Sequence, residues 1–241
     1  LIRLLKSAPF SAKFGMTVIA FYMFCALFAP WIAPYGESEI VGKAYGPASA
    51  QNWFGLDQIG RDTFSRVIYG AKNTIGIALL TVIVSFTFGG ILGIYAAVTR
   101  GLLDNLLSRF VDVLMSIPVL IFALMLLAML GRSNPWPEVM GNFPLNLILI
   151  LALLDSTRVY RLARNTALSV AVQDFVEAAR LRGEGMLWIV LREIVPNILP
   201  PMIAEFGLRF SFVFLTIAAL SFLGVGIQPP TADWGSMVAE S

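Results

Sequence analysis

The side chains with chemistry to offer in this 241-residue chain are few, and most are charged residues at helical spacing. Asp155 and Arg158 stand at i, i+3, and Glu205 and Arg209 at i, i+4, so each pair shares one helix face. Glu177 precedes two alanines in the densest basic stretch of the chain. Other chemistries are excluded by composition. There is no histidine, which removes Ser-His-Asp and Cys-His catalysis and the usual zinc sites. Cys25 is the single cysteine, so no intrachain disulfide or cysteine-metal cluster forms, and its place in an apolar run reads as packing or lipid contact. Gly42-Lys43 lacks the glycine spacing of a phosphate-cradling loop. A net charge of +2 gives no case for nucleic acid.

The elements that must position these residues are apolar. The chain is 58% hydrophobic and 13% charged, with mean hydropathy +0.80; soluble domains run about 45–50% apolar and about 25% charged. One core of this size cannot hide that surface from water, so the excess faces lipid. Crossing roughly 30 Å of hydrocarbon takes about 20 helical residues. Five stretches qualify: Phe14–Ile32, Ile75–Val98, Val111–Leu130, Leu145 through Tyr160, and Ile203–Ile227. A cleaved signal peptide is the rival for the first, but the run is long for an h-region and Trp31 between Pro30 and Pro34 marks an interfacial end. The second carries Gly89, Gly90 and Gly93, a face on which another helix packs closely. The third holds Pro118 near its start, tolerated where neighbours satisfy the freed carbonyl. On the fourth, Asp155 and Arg158 read either as a structural or snorkelling pair or as part of a functional path. Glu205 and Arg209, at the start of the fifth, read as structural.

Loop charge sets orientation, because short inside loops are rich in Lys and Arg. Arg3, Lys6 and Lys13, the Arg100–Arg109 turn, and the Arg158–Arg192 segment are basic. The 35–73 loop is mixed, and the Arg132–Pro144 loop carries only Arg132 and Glu138. Five alternating crossings from an inside N-terminus put all three basic segments on one side. They leave the C-terminus outside, so the sequence as given reads as incomplete.

The 174–192 loop is too ordered for a plain connector. Asp174 reads as an acidic N-terminal cap, helix formers follow, Gly183 ends the first short helix, and Met186–Arg192 forms a second. Pro196, Pro200 and Pro201 should break the helix before the fifth span. The first helix suits docking to a partner or lying on the membrane surface.

Glu177-Ala178-Ala179, three residues, Gly183, nine residues and Glu193-Ile194-Val195-Pro196 resemble the EAA loop of binding-protein-dependent ABC permeases. Phe54–Gly70 resembles the G-T-D-x-x-G-R-D-x-x-S-R-x-x-Y-G signature of the dipeptide/oligopeptide/nickel/opine branch, with Leu56 in place of threonine. Leu220–Pro230 and Trp234-Gly235 resemble that branch's S-F-L-G-x-G-x-Q-P-P…W-G stretch. The likeness runs from the first span to Ser241, and within the branch it points to the C-type partner of a two-permease pair. The branch's tryptophan near the end of span four is absent around Asp155-Ser156-Thr157.

The resemblance implies an all-α polytopic membrane bundle of the ABC importer permease type, with five spans in this chain and a sixth expected but absent from it. It divides the chain into 1–74, holding the first span and a long extracytoplasmic loop, and 75–241, a permease core with the coupling loop at about 165–200. It implies a bacterial inner-membrane subunit, N-terminus cytoplasmic, forming half a path for peptides or related solutes, and no enzyme itself. Its partners would be a second homologous permease, two cytosolic ATPases, an extracytoplasmic solute-binding protein and membrane lipid. No cofactor binds this chain; ATP and Mg belong to the ATPases. The coupling residues would be Glu177 (a charged contact with the ATPase, or a brace for the loop), Ala178 and Ala179 (close packing), Gly183 (the turn) and Pro196. The outer-loop signature residues would be Asp57, Gly60, Arg61, Asp62, Ser65, Arg66, Tyr69 and Gly70, read as a hydrogen-bonded turn seating the loop or as a contact for the binding protein. The rivals are an ion-driven secondary transporter, which wants ionisable groups deep in the spans where only Asp112 comes close, and an intramembrane enzyme, for which no chemistry is visible.

Overall fold

The computed structural model describes residues 9–130 and 144–241. Arg3, Lys6, Arg132 and Glu138, used above for orientation, lie outside the described residues. Those described form helices α1 (Phe10–Leu27), α2 (Ala29–Ile32), α3 (Thr63–Thr99), α4 (Leu102–Met115), α5 (Val119–Leu130), α6 (Leu145–Ala171), α7 (Asp174–Leu181), α8 (Met186–Ile189), α9 (Val195–Phe222) and α10 (Trp234–Glu240). Among the described residues the only extended pairings are two isolated bridges, Ile40 with Arg61 and Leu56 with Asp62.

Three runs are long and apolar enough to cross a membrane: Phe10–Leu27, Thr63–Thr99 and Met186–Phe222, the last joining α8, a π-helical turn at Val190–Ile194 and α9. The expected fourth span lies on α6, which continues to Ala171; its Asp155, Arg158, Arg161 and Arg164 keep it out of that apolar class.

Four local expectations change. The third span is no single helix: α4 and α5 meet at a 91° bend. Pro118 withdraws an N–H and keeps Ile117 out of the helical region, while Ser116 Oγ donates to the Val113 carbonyl at 2.7 Å and closes α4. The Arg100–Arg109 turn shrinks to Arg100-Gly101, both at positive φ, before α4 starts. Pro200 and Pro201 lie inside α9 and do not break it. The π-helical turn at Val190–Ile194 lies just upstream, and membrane helices carry such prolines where the freed carbonyls find other partners. The fifth span stops at Phe222, short of Ile227, because Gly224 takes φ +77° and the Val225 and Gly226 N–H groups turn back onto the Leu220 carbonyl.

The chain forms two compact units. One runs to Ile77 and returns with Ile217–Ser241; the other is Ala78–Thr216. In the second, the glycine face of α3 meets α6 as expected. A Cβ on Gly89 would lie 2.5 Å from the Ser156 carbonyl oxygen, and one on Gly93 2.6 Å from that of Tyr160. Both approaches are closer than any side chain permits, so glycine sets the distance between these helices.

Candidate functional site

The second unit carries the 174–194 hairpin on small residues. Ala97, Val98, Ala167 and Ala171 form a seat into which Val176, Ala179, Ile189, Ile194 and Ile198 pack. With Gln173 as N-cap, Asp174 is the first helical residue of α7 and not its cap. Gly183, at φ +82°, ends the helix; its N–H bonds the Arg180 carbonyl at 2.9 Å, and the Glu184 N–H reaches the Ala179 carbonyl. Of the five expected coupling residues, Ala179 alone is buried; Glu177, Ala178, Gly183 and Pro196 are exposed. Phe175, Leu181 and Leu187 share that exposure, Leu181 at 84%. The hairpin therefore presents apolar groups and charges of both signs from a firm base.

Deeper in the same unit, Asp155 is bound away from Arg158. Its Oδ2 accepts from Ser85 Oγ on α3 at 2.8 Å, and its Oδ1 stands 3.8 Å from Arg209 on α9. Arg209 pairs with Glu205 at 2.7 Å, as their spacing requires. Arg158 is exposed.

The first unit gathers the 35–73 loop around buried charge. Asp57 Oδ2 accepts from Arg61 Nε and Arg66 Nη1, each at 2.6 Å; its Oδ1 takes the Ile59 and Arg61 backbone N–H groups. Glu240, from α10, closes the knot on Arg66 at 2.7 Å and Arg61 at 3.4 Å. Burial works against ionisation of Asp57, but those N–H donors and the Arg61 guanidinium outweigh it and hold the carboxyl below its ordinary range. Asp62 caps α3, its Oδ2 accepting from Ser65 N–H at 2.8 Å and Ser65 Oγ at 2.7 Å. Gly60, at φ +88°, lets the loop cross: a Cβ there would lie 2.1 Å from the Gly42 oxygen. Gly70 receives the Trp234 ring, whose Nε1 donates to the Val67 carbonyl at 2.9 Å. Tyr69 is half-buried.

The loop signature and the S-F-L-G…W-G stretch thus meet in one place. Thr74 Oγ1 donates to Asp233 at 2.7 Å, and Asn73 Nδ2 bridges Glu37 and the Ala232 carbonyl. Glu240, Asp233, Thr74, Asn73 and Glu37 were not picked out from the sequence as members of this cluster. Most of these pairings span 159 or more residues, and no local pattern announces them. Asp233 alone left a trace, as an acidic cap ahead of the helix that begins at Trp234.

Apolar helices of spanning length and glycine-set helix contacts define a helical membrane protein. Residues 89–241 match the binding-protein-dependent transport system inner membrane component, and residues 11–48 the N-terminal transmembrane domain of oligopeptide transport permease C. The chain belongs to the binding-protein-dependent transport system inner membrane component family, as a transport subunit and not an enzyme. It is 35% identical to a di/tripeptide transport system permease protein of Pseudomonas aeruginosa, over 94% of this chain and 74% of that one. It is 33% identical to a probable D,D-dipeptide transport system permease protein of Escherichia coli, over 99% and 77%. A glutathione transport system permease protein of Escherichia coli is 35% identical, over 90% and 69%.

Proposed function

We propose that this subunit forms half of an import path for short peptides or related solutes and is driven through the 174–194 hairpin by separate ATPases. The observation that carries the reading is the hairpin's build. Ala179 and Val176 are locked into the unit while Glu177, Ala178 and Leu181 face outward, so a push on the exposed face reaches α6 and α9 with little lost to bending. Glu177 makes the charged contact with an ATPase, Ala178 allows its close approach, Gly183 sets the turn, and Pro196 stands where the thrust enters α9. ATP and Mg are held by the ATPases, and closure of the ATPase pair swings the spans outward. A second, homologous permease completes the path, and a solute-binding protein delivers cargo.

In this reading residues 1–74 are an N-terminal span and loop, residues 75–241 are the permease core, and the N-terminus and hairpin lie in the cytoplasm. The 35–73 loop is extracytoplasmic, and its signature residues Asp57, Gly60, Arg61, Asp62, Ser65, Arg66, Tyr69 and Gly70 seat it; the ion-pair knot supports the structural role over direct contact with a binding protein. Relatives named for dipeptides and glutathione support a peptide cargo.

The test uses the full chain with its partner subunits and Cys25→Ser as background. A cysteine in place of Glu177 should react with a membrane-impermeant maleimide in inside-out vesicles and be protected in intact cells, and should crosslink to an ATPase. Labelling from the outside, or uptake by the purified chain without ATP, overturns the proposal.

A further inference from the structure

Helix α4 is amphipathic in the reverse sense of a soluble helix. Its inward face carries the polar groups. Arg164 on α6 clamps Asp104 through both carboxylate oxygens, the Nη2–Oδ2 contact being 2.7 Å, and Ser108 Oγ lies 3.1 Å from Tyr160 Oη. Arg161 pairs with Asp112 at the edge of the same contact. The outward face carries the apolar groups: Leu102, Leu106, Phe110 and Val113 are each between 59% and 82% exposed. At about 100° per residue these four fall within roughly 80° of arc, and Arg109 lies about 20° beyond the Leu102 edge. Arg100 stands exposed two residues before α4 begins.

Three facts say what covers that stripe. First, α4 begins three residues after the end of α3, a 37-residue helix of spanning apolarity, so the chain has just left the hydrocarbon. Second, α4 packs on the part of α6 that bears Arg161 and Arg164, groups too costly to hold at the centre of a bilayer. Third, the 91° bend at Ser116–Pro118 separates the direction of α4 from that of α5. We infer that α4 lies in the plane of the membrane surface, its Leu102–Leu106–Phe110–Val113 stripe sunk into the acyl boundary and Arg100 and Arg109 reaching anionic headgroups. The partner is a lipid leaflet. The two arginines beside an apolar stripe match the pattern of an interfacial helix on anionic lipid.

Depth measurement decides this. Single cysteines replace Leu102, Leu106, Phe110 and Val113 in turn, in the full chain with its partner subunits and Cys25→Ser, and carry spin labels in phosphatidylcholine/phosphatidylglycerol nanodiscs. All four should show oxygen-accessible positions within about 5 Å of one another and roughly 5–10 Å below the headgroups. A spread of about 16 Å from position 102 to 113, the rise of a helix along the normal, overturns the inference. So does exclusion of both oxygen and water-soluble relaxant, which places the stripe against another protein. A fluorophore at position 106 should be quenched more by brominated phosphatidylglycerol than by brominated phosphatidylcholine. That preference should fall roughly fivefold or more in Arg100→Gln/Arg109→Gln; an unchanged ratio removes the headgroup contact. Uptake is assayed separately, because label depth reports helix placement whether or not cargo moves.

Discussion

The loop knot around Asp57 and the hairpin around Gly183 both rest on charged residues and a left-handed glycine, yet they use them in opposite ways. In the knot, Arg66 is 2% exposed and meets two carboxylates, one of them 174 residues away. In the hairpin, Arg182 is over half exposed and its nearest carboxylates, Glu184 and Glu193, stand at 3.9 Å. The knot spends its polar groups inside the unit. The hairpin buries alanine, valine and isoleucine and leaves its charges outside. The loop closes its charges on themselves; in the proposed function, the open face of the hairpin is where an ATPase completes it.

The same residue type sharpens that contrast most. Arg66→Ala takes from Asp57 one of its two guanidinium partners and leaves Glu240 only Arg61 at 3.4 Å, and should cost about 3 kcal/mol, the low end of the loss expected when one partner of a buried pair goes. Arg182→Ala should leave the melting temperature of the detergent-solubilised complex unchanged, since exposed pairs at that range contribute little. Equal losses in the two variants would erase the distinction.

The glycines give the next largest effect. Gly60 and Gly183 share a φ near +85°, at +88° and +82°. Alanine at 60 drives its Cβ into the Gly42 oxygen, whereas alanine at 183 meets nothing within 4 Å. Gly60→Ala should therefore cost about 3 kcal/mol, backbone strain plus overpacking, and Gly183→Ala about 1 kcal/mol from strain alone. Thermal unfolding of both variants reads this directly.

A smaller effect belongs to pH. Because the Asp57 carboxyl titrates below its unfolded-chain value of about 4, its contribution is complete above that value and is lost as pH falls through the folded pKa. Stability should start to fall as pH drops below about 5 and go on falling through the lowered folded pKa, and Asp57→Asn should flatten the part of the drop that this residue causes.

How much of this was legible follows from range. The glycine face at 89 and 93, the Glu205–Arg209 pair and the Gly183 helix end are written within a few residues, and local spacing reveals them. The Arg66–Glu240 and Thr74–Asp233 bonds join distant stretches, so only the fold brings them together. Asp155 misled for the same reason: Arg158 is near in sequence, but Ser85 and Arg209 are near in space. Pro118 was visible, yet whether a proline bends or breaks a span depends on what its neighbours supply, here Ser116 closing α4. The hairpin's exposed face is legible only through likeness to relatives, since nothing among the described residues covers it.

That last point carries the finest prediction. Glu177→Ala removes an exposed group, so folding and insertion should be untouched. If the carboxylate meets an ATPase, its loss should weaken assembly of the complex about tenfold, equal to about 1.4 kcal/mol, and lower coupled uptake with it. Glu177→Gln should recover part of the packing and none of the charge, which separates an ion pair from mere contact. Wild-type assembly and uptake in both variants would mean that the hairpin works through its apolar face, Phe175 and Leu181, and that the charge on α7 only keeps that face soluble until a partner covers it.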